Sequence, residues 1–274
     1  MRVNRTIWGE VSLTNKMAGT TYTPPVNSTL NDVLNISATA TTSENKLGYF
    51  TIGLTPIDQV TASGFGLTDL RHNPFDTKNF IPIPVFMKDS SIALTTSELT
   101  SYRLFKTETH GGVEYNVAYA KPFASISSTN DLLKISYTDA SGYNKSDFNT
   151  LTIDFNNPTP IASLDSYPSS IDYIAHSRVV NLTLTTVELA AIKTYVDIIY
   201  PARVNSRYNI GEISLIQGRD STGSFGSEIR EAQPAYFVLL DVVIDTSKDL
   251  NWSLDLGGMI PLVVSTVSAG GLGA

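Results

Sequence analysis

Apolar positions along this chain recur at two periods, and each period predicts a different element. From Thr185 onward they keep helical spacing: Leu189, Ile192, Val196 and Ile199 fall three or four apart until Pro201 stops the pattern. Thr185 and Glu188 open that stretch as an S/T-x-x-E capping box, in which a hydroxyl and a carboxylate satisfy amides that a helix start leaves without partners. The same phrase has already been used once, since Leu94 to Leu99 reads LTTSEL and Leu184 to Leu189 reads LTTVEL. Thr95 and Glu98 form the earlier box, and Leu99, Tyr102 and Phe105 follow it at helical spacing. Two capped helices are therefore predicted.

Alternation with period two follows each of them. EYNVAYAKPF (from Glu114) and RYNIGEISLI (from Arg207) read as strands, and they open alike in Tyr115-Asn116-Val117 and Tyr208-Asn209-Ile210. Further strand text lies at Leu47 to Leu54, Leu132 to Tyr137, Leu151 to Phe155 and Tyr236 to Ile244. The last is almost wholly apolar, as a strand covered on both faces would be. Phe80 to Met87 (FIPIPVFM) carries Pro82 and Pro84, which cannot donate to a ladder, so it belongs at a sheet edge or in an extended crossing.

Extended segment, capped helix, loop and strand thus occur twice. Internal duplication or a shared architectural solution would give two similar modules; chance repetition in a Leu- and Thr-rich chain is the rival explanation. The expected fold is β-rich α+β, with two β-sandwich-like modules each carrying one capped helix. Its expected divisions are an arm or edge at 1–45, a first module at 46–160, a second at 161–258 and a tail at 259–274. The arm contains the turn signal Pro24-Pro25 and the Ser/Thr-rich stretch Ser37 to Ser43. Turn clusters at Asn156-Asn157-Pro158 and Tyr167 to Ser170 bracket the expected boundary, and another runs from Gly218 to Gly226.

Composition sharpens this picture. Of 274 residues 42% are hydrophobic and 16% charged, the latter well below the roughly 25% of an average soluble domain. Ser, Thr and Asn stand where charges are missing, and their short side chains favour strands, turns and close polar contacts over solvated helices. A net charge of −7 argues against nucleic acid as a partner, because neutralising phosphates takes a basic surface. With no cysteine, disulfides, thiolate metal sites and thiol nucleophiles are excluded. The N-terminal MRVNRTIWGEVSL lacks the apolar run of a secretory signal. The apolar run Met259 to Val264 is interrupted by Pro261 and is far short of the roughly 20 residues of a membrane span, so a partner-docked or flexible tail is expected there.

Candidate chemistry changes little. His72, His110 and His176 are widely separated and read as surface or turn histidines, and neither G-x-S-x-G nor a His-based zinc motif occurs. GRDSTGS (Gly218 to Ser224) places Ser224 where a phosphate-binding loop needs lysine, and reads as a flexible inter-strand loop. Gly64-Phe65-Gly66 lacks the third glycine of a dinucleotide turn. Asp241, Asp245 and Asp249 recur every four residues without an EF-hand frame and read as a solvated strand end. The sequon Asn181-Leu182-Thr183 is of the kind that arises by chance in such a composition. No residue is nominated as catalytic, cofactor-binding or metal-ligating, and no cofactor is implied.

Two segments carry a resemblance. IPIPVFMKDSSIALTTSELTSYRLFKTETHGGVEYNVAYAKPF resembles, in layout, segments of virion structural proteins of tailed bacteriophages, and RYNIGEISLIQGRDSTG is similar to a strand-and-loop of baseplate and fibre-attachment proteins. That resemblance implies a noncatalytic virion subunit of the tail, baseplate or neck. Its partners would be other virion proteins and copies of itself, with no nucleic acid and no membrane anchor. The alternatives are a capsid decoration or head-surface protein, and a carbohydrate- or receptor-binding module using Trp8, Trp252 or exposed tyrosines. An enzyme reading, such as a glycosidase with paired carboxylates, finds no support in the sequence.

Overall fold

The computed structural model describes residues 2–6, 9, 29–55, 72, 74–126, 132–138, 144–152, 171–203 and 207–261. The expected signals at Trp8, Pro24-Pro25, Gly64 to Gly66, Asn156 to Ser170 and 262–274 lie outside those residues.

The described residues form a β-rich α+β fold with sheets of eight and five strands. In chain order the elements are β1 (Arg2–Arg5), α1 (Leu30–Leu34), β2 (Ala38–Leu54), β3 (Pro82–Ile83), β4 (Phe86–Asp89), α2 (Thr96–Ser101), β5 (Arg103–His110) and β6 (Val113–Pro122). They continue as β7 (Ser125–Ile126), β8 (Leu132–Thr138), β9 (Asn144–Thr152), β10 (Ile171–Leu184), α3 (Thr186–Ile199), β11 (Asn209–Gly223), β12 (Gly226–Val243) and β13 (Leu250–Pro261). Two compact units are present: residues 1–123 with 182–251, and 124–181 with 252–274. The sequence places the division between its two expected modules in 156–170, and the chain passes between the compact units near 123, 181 and 251.

The larger sheet runs β1-β12-β11-β2-β6-β4, with β3 also on β2 and β5 also on β6. The second holds β13-β10-β8-β9, with β7 on β10. Both capping boxes are present as expected, Thr95 with Glu98 and Thr185 with Glu188. Yet both helices belong to the first unit, so the picture of one capped helix per module is corrected. The strands with matching openings, β6 and β11, flank β2 in one sheet, because β2 offers each of its edges to one of them. The strands that follow the two copies of the phrase therefore join one sheet from two sides.

The helices differ in length for a packing reason. α3 buries Leu189, Ile192 and Val196 and runs to the expected stop before Pro201. α2 buries nothing and ends after six residues, since a capping box alone does not sustain a helix without an apolar face to pack. Tyr102 is already extended, and Phe105, expected on the helix, sits in β5 opposite Ala118. The β5–β6 hairpin closes through Gly111 and Gly112, both at positive φ, a two-residue turn that only glycine adopts without strain.

Expectations for the sheets hold in several places. Phe237, Val238 and Leu239 of β12 are consecutive and all buried, so both faces of that strand are covered. FIPIPVFM lies at an edge: β3 pairs with β2, the chain steps past Pro84, and β4 pairs with β6, with Ile83, Val85 and Met87 turned inward. The stretch Gly218 to Gly223, expected as a flexible loop, is instead the end of β11. Its register with β12 runs unbroken from Arg219↔Arg230 to Gly223↔Gly226, which leaves only Ser224-Phe225 as a turn. Its polar residues range from the buried Ser221 to the exposed Thr222, and the ladder runs through all of them.

One edge of this sheet is left partly open. Beyond β1, which pairs with residues 236–239, the outer edge of β12 has no described strand partner. The sheet curls so that β5 approaches that edge, and the carboxylate of Glu228 spans the seam to the amides of Leu104 and Phe105. The core beneath it is built from Leu30, Leu34, Leu104, Val117, Ile216 and Ile229 with their neighbours.

Candidate functional site

Ionisable side chains cluster at two buried places in the first unit. The first surrounds His72, whose ring lies between those of Phe80 and Phe237, nearly parallel to both, at centroid distances of 4.0 and 3.6 Å. Its Nε2 is 2.6 Å from Oε2 of Glu212 and its Nδ1 is 2.9 Å from Oδ2 of Asp76. The imidazole is 1% exposed and the Glu212 side chain 0%. The expectation of a surface or turn histidine is thereby corrected for His72. Sequence reasoning missed the pair because Glu212 lies 140 residues away and only the sheet brings it close.

Local structure fixes Glu212. It lies on β11 opposite Gly53 of β2, and a Cβ at Gly53 would meet Glu212 Oε1 at 2.6 Å, so glycine makes room for the carboxylate. The other carboxylate oxygen, Oε1, accepts the backbone amide of Phe80 at 2.6 Å. Asn79 beside it accepts from the Thr51 hydroxyl at 2.6 Å. Two carboxylates facing one imidazole need a hydrogen on each ring nitrogen, or one protonated acid, because ionised carboxylates only accept. Both ring nitrogens of His72 are thus engaged by carboxylates. The cluster's visible work is to tie His72, Phe80 and Ile81 to the sheet through Glu212.

The second place is the seam. Glu228 accepts from Leu104 N, from Phe105 N at 2.9 Å and from Ile229 N at 3.1 Å. Leu104 takes φ +59, and successive amides around such a residue form a concave anion cradle. Burial raises the Glu228 pKa above the ordinary 4.5, and the three amides together with Arg103 offset only part of that. Across the seam Asn31 of α1 donates to Ile229 O at 2.8 Å and accepts from Ala232 N at 2.9 Å, filling the ladder positions of a missing strand. It does so beside Glu231, whose φ of +56 marks the bulge in β12. Alongside Glu228 opens a cleft of about 400 Å³ between the end of α1, the outer edge of β5 and the hairpin tip at Ser224-Phe225.

The remaining acids serve tyrosines and lysines. Glu188 of the second capping box also takes Lys121 Nζ at 2.7 Å and the Tyr102 hydroxyl at 2.8 Å. Burial pushes its pKa up, but Lys121, the Thr185 amide and Tyr102 outweigh burial and hold it below the ordinary value. Tyr119 donates to Glu108, which also meets His110 at 2.8 Å and Lys106 at 3.0 Å. Tyr49 donates to Asp220, and burial together with that acid raises the phenol above its usual range. These tyrosines are packed within the sheet with their hydroxyls engaged.

Other expected features resolve simply. His110 stands at the end of β5 beside the hairpin turn, and His176 is on β10 instead of in a loop. Asp245 caps its own turn by accepting from Ser247, and Asp249 accepts the Thr186 amide at the start of α3. Among the described residues no three His, Asp or Glu side chains are grouped so as to hold a metal ion. No described helix is long and apolar enough to cross a membrane.

Residues 1–270 match the sequence profile described as "Family of unknown function (DUF7208)". No curated protein and no solved structure matches the chain.

Proposed function

The chain belongs to the family of unknown function DUF7208, and on that premise we propose, from its own residues, that it is a noncatalytic structural subunit of a tailed-phage virion, in the tail or baseplate region. The observation that carries the reading is the use of its buried ionisable groups. His72 and Glu212 face each other and the backbone, shut away from solvent, and Glu228 is occupied by three amides. General acid–base chemistry needs such groups within reach of a substrate, and these hold strands together instead. A further support is the uncharged, β-branched sequence from Met259 to Ala274, which suits burial against another subunit.

In this reading the two compact units stand for the two sandwich-like modules, one carrying both capped helices and the other the five-stranded sheet. The protein acts by packing against copies of itself and other virion proteins over large interfaces, without turnover. Imaging intact particles tests it: density for this subunit in a tail or baseplate supports the proposal, density on the head surface moves it to a decoration role, and absence from the particle rejects it. Truncation at Pro261, the end of β13, should leave a folded chain that no longer assembles. Assembly of that truncated chain at normal yield would remove the tail from the account.

A further inference from the structure

The seam at Glu228 has the attributes of a place where a strand is added. A strand edge invites an added strand when its amides and carbonyls are unpaired and apolar pockets lie on either side. Among the described residues, β5 pairs only with β6, so its second edge has no strand neighbour. The first two amides of β5 after Arg103 are aimed the same way by the left-handed turn at Leu104 and are already claimed by Glu228, and the cleft opens just beyond, at Lys106 and Thr107. Leu34, Ile36, Phe105 and Phe225 give it apolar walls. Asn31 meanwhile occupies the facing ladder positions of β12, so the gap is held open on one side and furnished on the other.

Resting on the reading of the chain as an assembling subunit, we infer that this cleft accepts residues 262–267 of a second copy as an added strand along the outer edge of β5. That segment reads Leu262-Val263-Val264-Ser265-Thr266-Val267, and the thirteen residues from 262 to 274 carry no charge. β-Branched side chains suit a pleated, half-buried strand, and alternate positions would fill the apolar walls while the backbone pairs with β5. The segment follows directly on β13, which ends at Pro261. Glu228 sets the register, because it already holds the outward amide of Phe105, the amide of Lys106 faces β6, and pairing must begin at Thr107. An unrelated extended peptide or the chain's own tail would meet the same backbone, so the experiment separates these occupants.

The absence of cysteine makes that experiment clean. Full-length Ser224→Cys and Ser265→Cys chains, purified separately, are mixed and oxidised mildly, and products are resolved without reductant. A mixed disulfide dimer well above the yield from Ser91→Cys, at an exposed turn outside the cleft, is expected. Phe225→Lys on the acceptor, or Val264→Asp on the donor, should each lower that yield at least tenfold; the second variant leaves the cleft intact, so a folding defect in the first cannot decide the matter. If the double Ser224→Cys/Ser265→Cys chain closes on itself as a monomer, the tail docks in its own chain and the inference fails. If light scattering shows assembly while cross-linking stays at the Ser91 level, the docking site is wrong and the subunit reading stands. Chains that neither assemble nor cross-link at any concentration overturn both.

Discussion

Oε2 of Glu212 lies 2.6 Å from Nε2 of His72, and neither side chain reaches solvent. The pair links β11 to the residues leading into β3, with the imidazole stacked between Phe80 and Phe237. Removing one partner strands the other in a low-dielectric interior, and such losses run to about 3–5 kcal/mol. Glu212→Ala should therefore cost on the order of 3 kcal/mol or more in urea unfolding. A loss under about 1 kcal/mol is what a solvent-exposed pair gives, and would contradict the burial of this one.

Glu228 and Glu188 should respond to pH in opposite senses. The folded pKa of Glu228 lies above 4.5, so folding favours its protonated form; its contribution is full below about 4.5 and is lost as pH rises through the folded value. Glu188 is held below 4.5, so its contribution is present above that value and disappears as pH falls through the folded one. Measured as unfolding free energy against pH, the difference between wild type and Glu188→Gln should favour wild type at about pH 7 and shrink towards about pH 3. For Glu228→Gln the balance should shift against wild type as pH rises from about 4 to about 7. Parallel profiles for the two variants would contradict the assignment.

Gly211 packs directly on Thr55, and a Cβ there would fall 2.2 Å from the Thr55 Cα. Both groups are backbone or backbone-attached, so the clash is relieved only by parting β11 from the end of β2. Gly211→Ala is expected to cost about 3 kcal/mol or to prevent folding, at the upper end of overpacking losses. Gly112→Ala meets no neighbour, and its cost should be confined to strain at φ +83, about 1 kcal/mol. Thermal melts of the two variants check the ordering.

The two capping boxes should differ in weight. Thr185→Ala removes the acceptor of the Glu188 amide at the start of a fourteen-residue helix that buries three apolar side chains, and should cost about 1–2 kcal/mol. Thr95→Ala affects a six-residue helix with no buried residue, and should cost under about 1 kcal/mol. Serine at either position should retain most of the stability. Chemical denaturation of the four variants decides this.

The elements that local chemistry controls were legible in the residues themselves. Both capping boxes, the α3 stripe of Leu189, Ile192 and Val196, the apolar β12 core and the edge character of FIPIPVFM follow from donor counting and spacing, which act within a few residues. Phe105 kept helical spacing yet joined β5, because Ala118 and the Glu228 carboxylate offered its backbone better partners than a helix with nothing to bury. The polar stretch after Gly218 looked like a loop, but β12 paired with it residue for residue. His72 read as a surface histidine until the sheet brought Glu212 beside it and aromatic rings closed over both faces. Period and capping are properties of a segment, whereas burial and cross-strand pairing belong to residues that meet only when the chain has folded. The sequence alone thus determined which segments are helix and strand, and the tertiary structure decided which of their side chains are shut away, paired or left at an open edge.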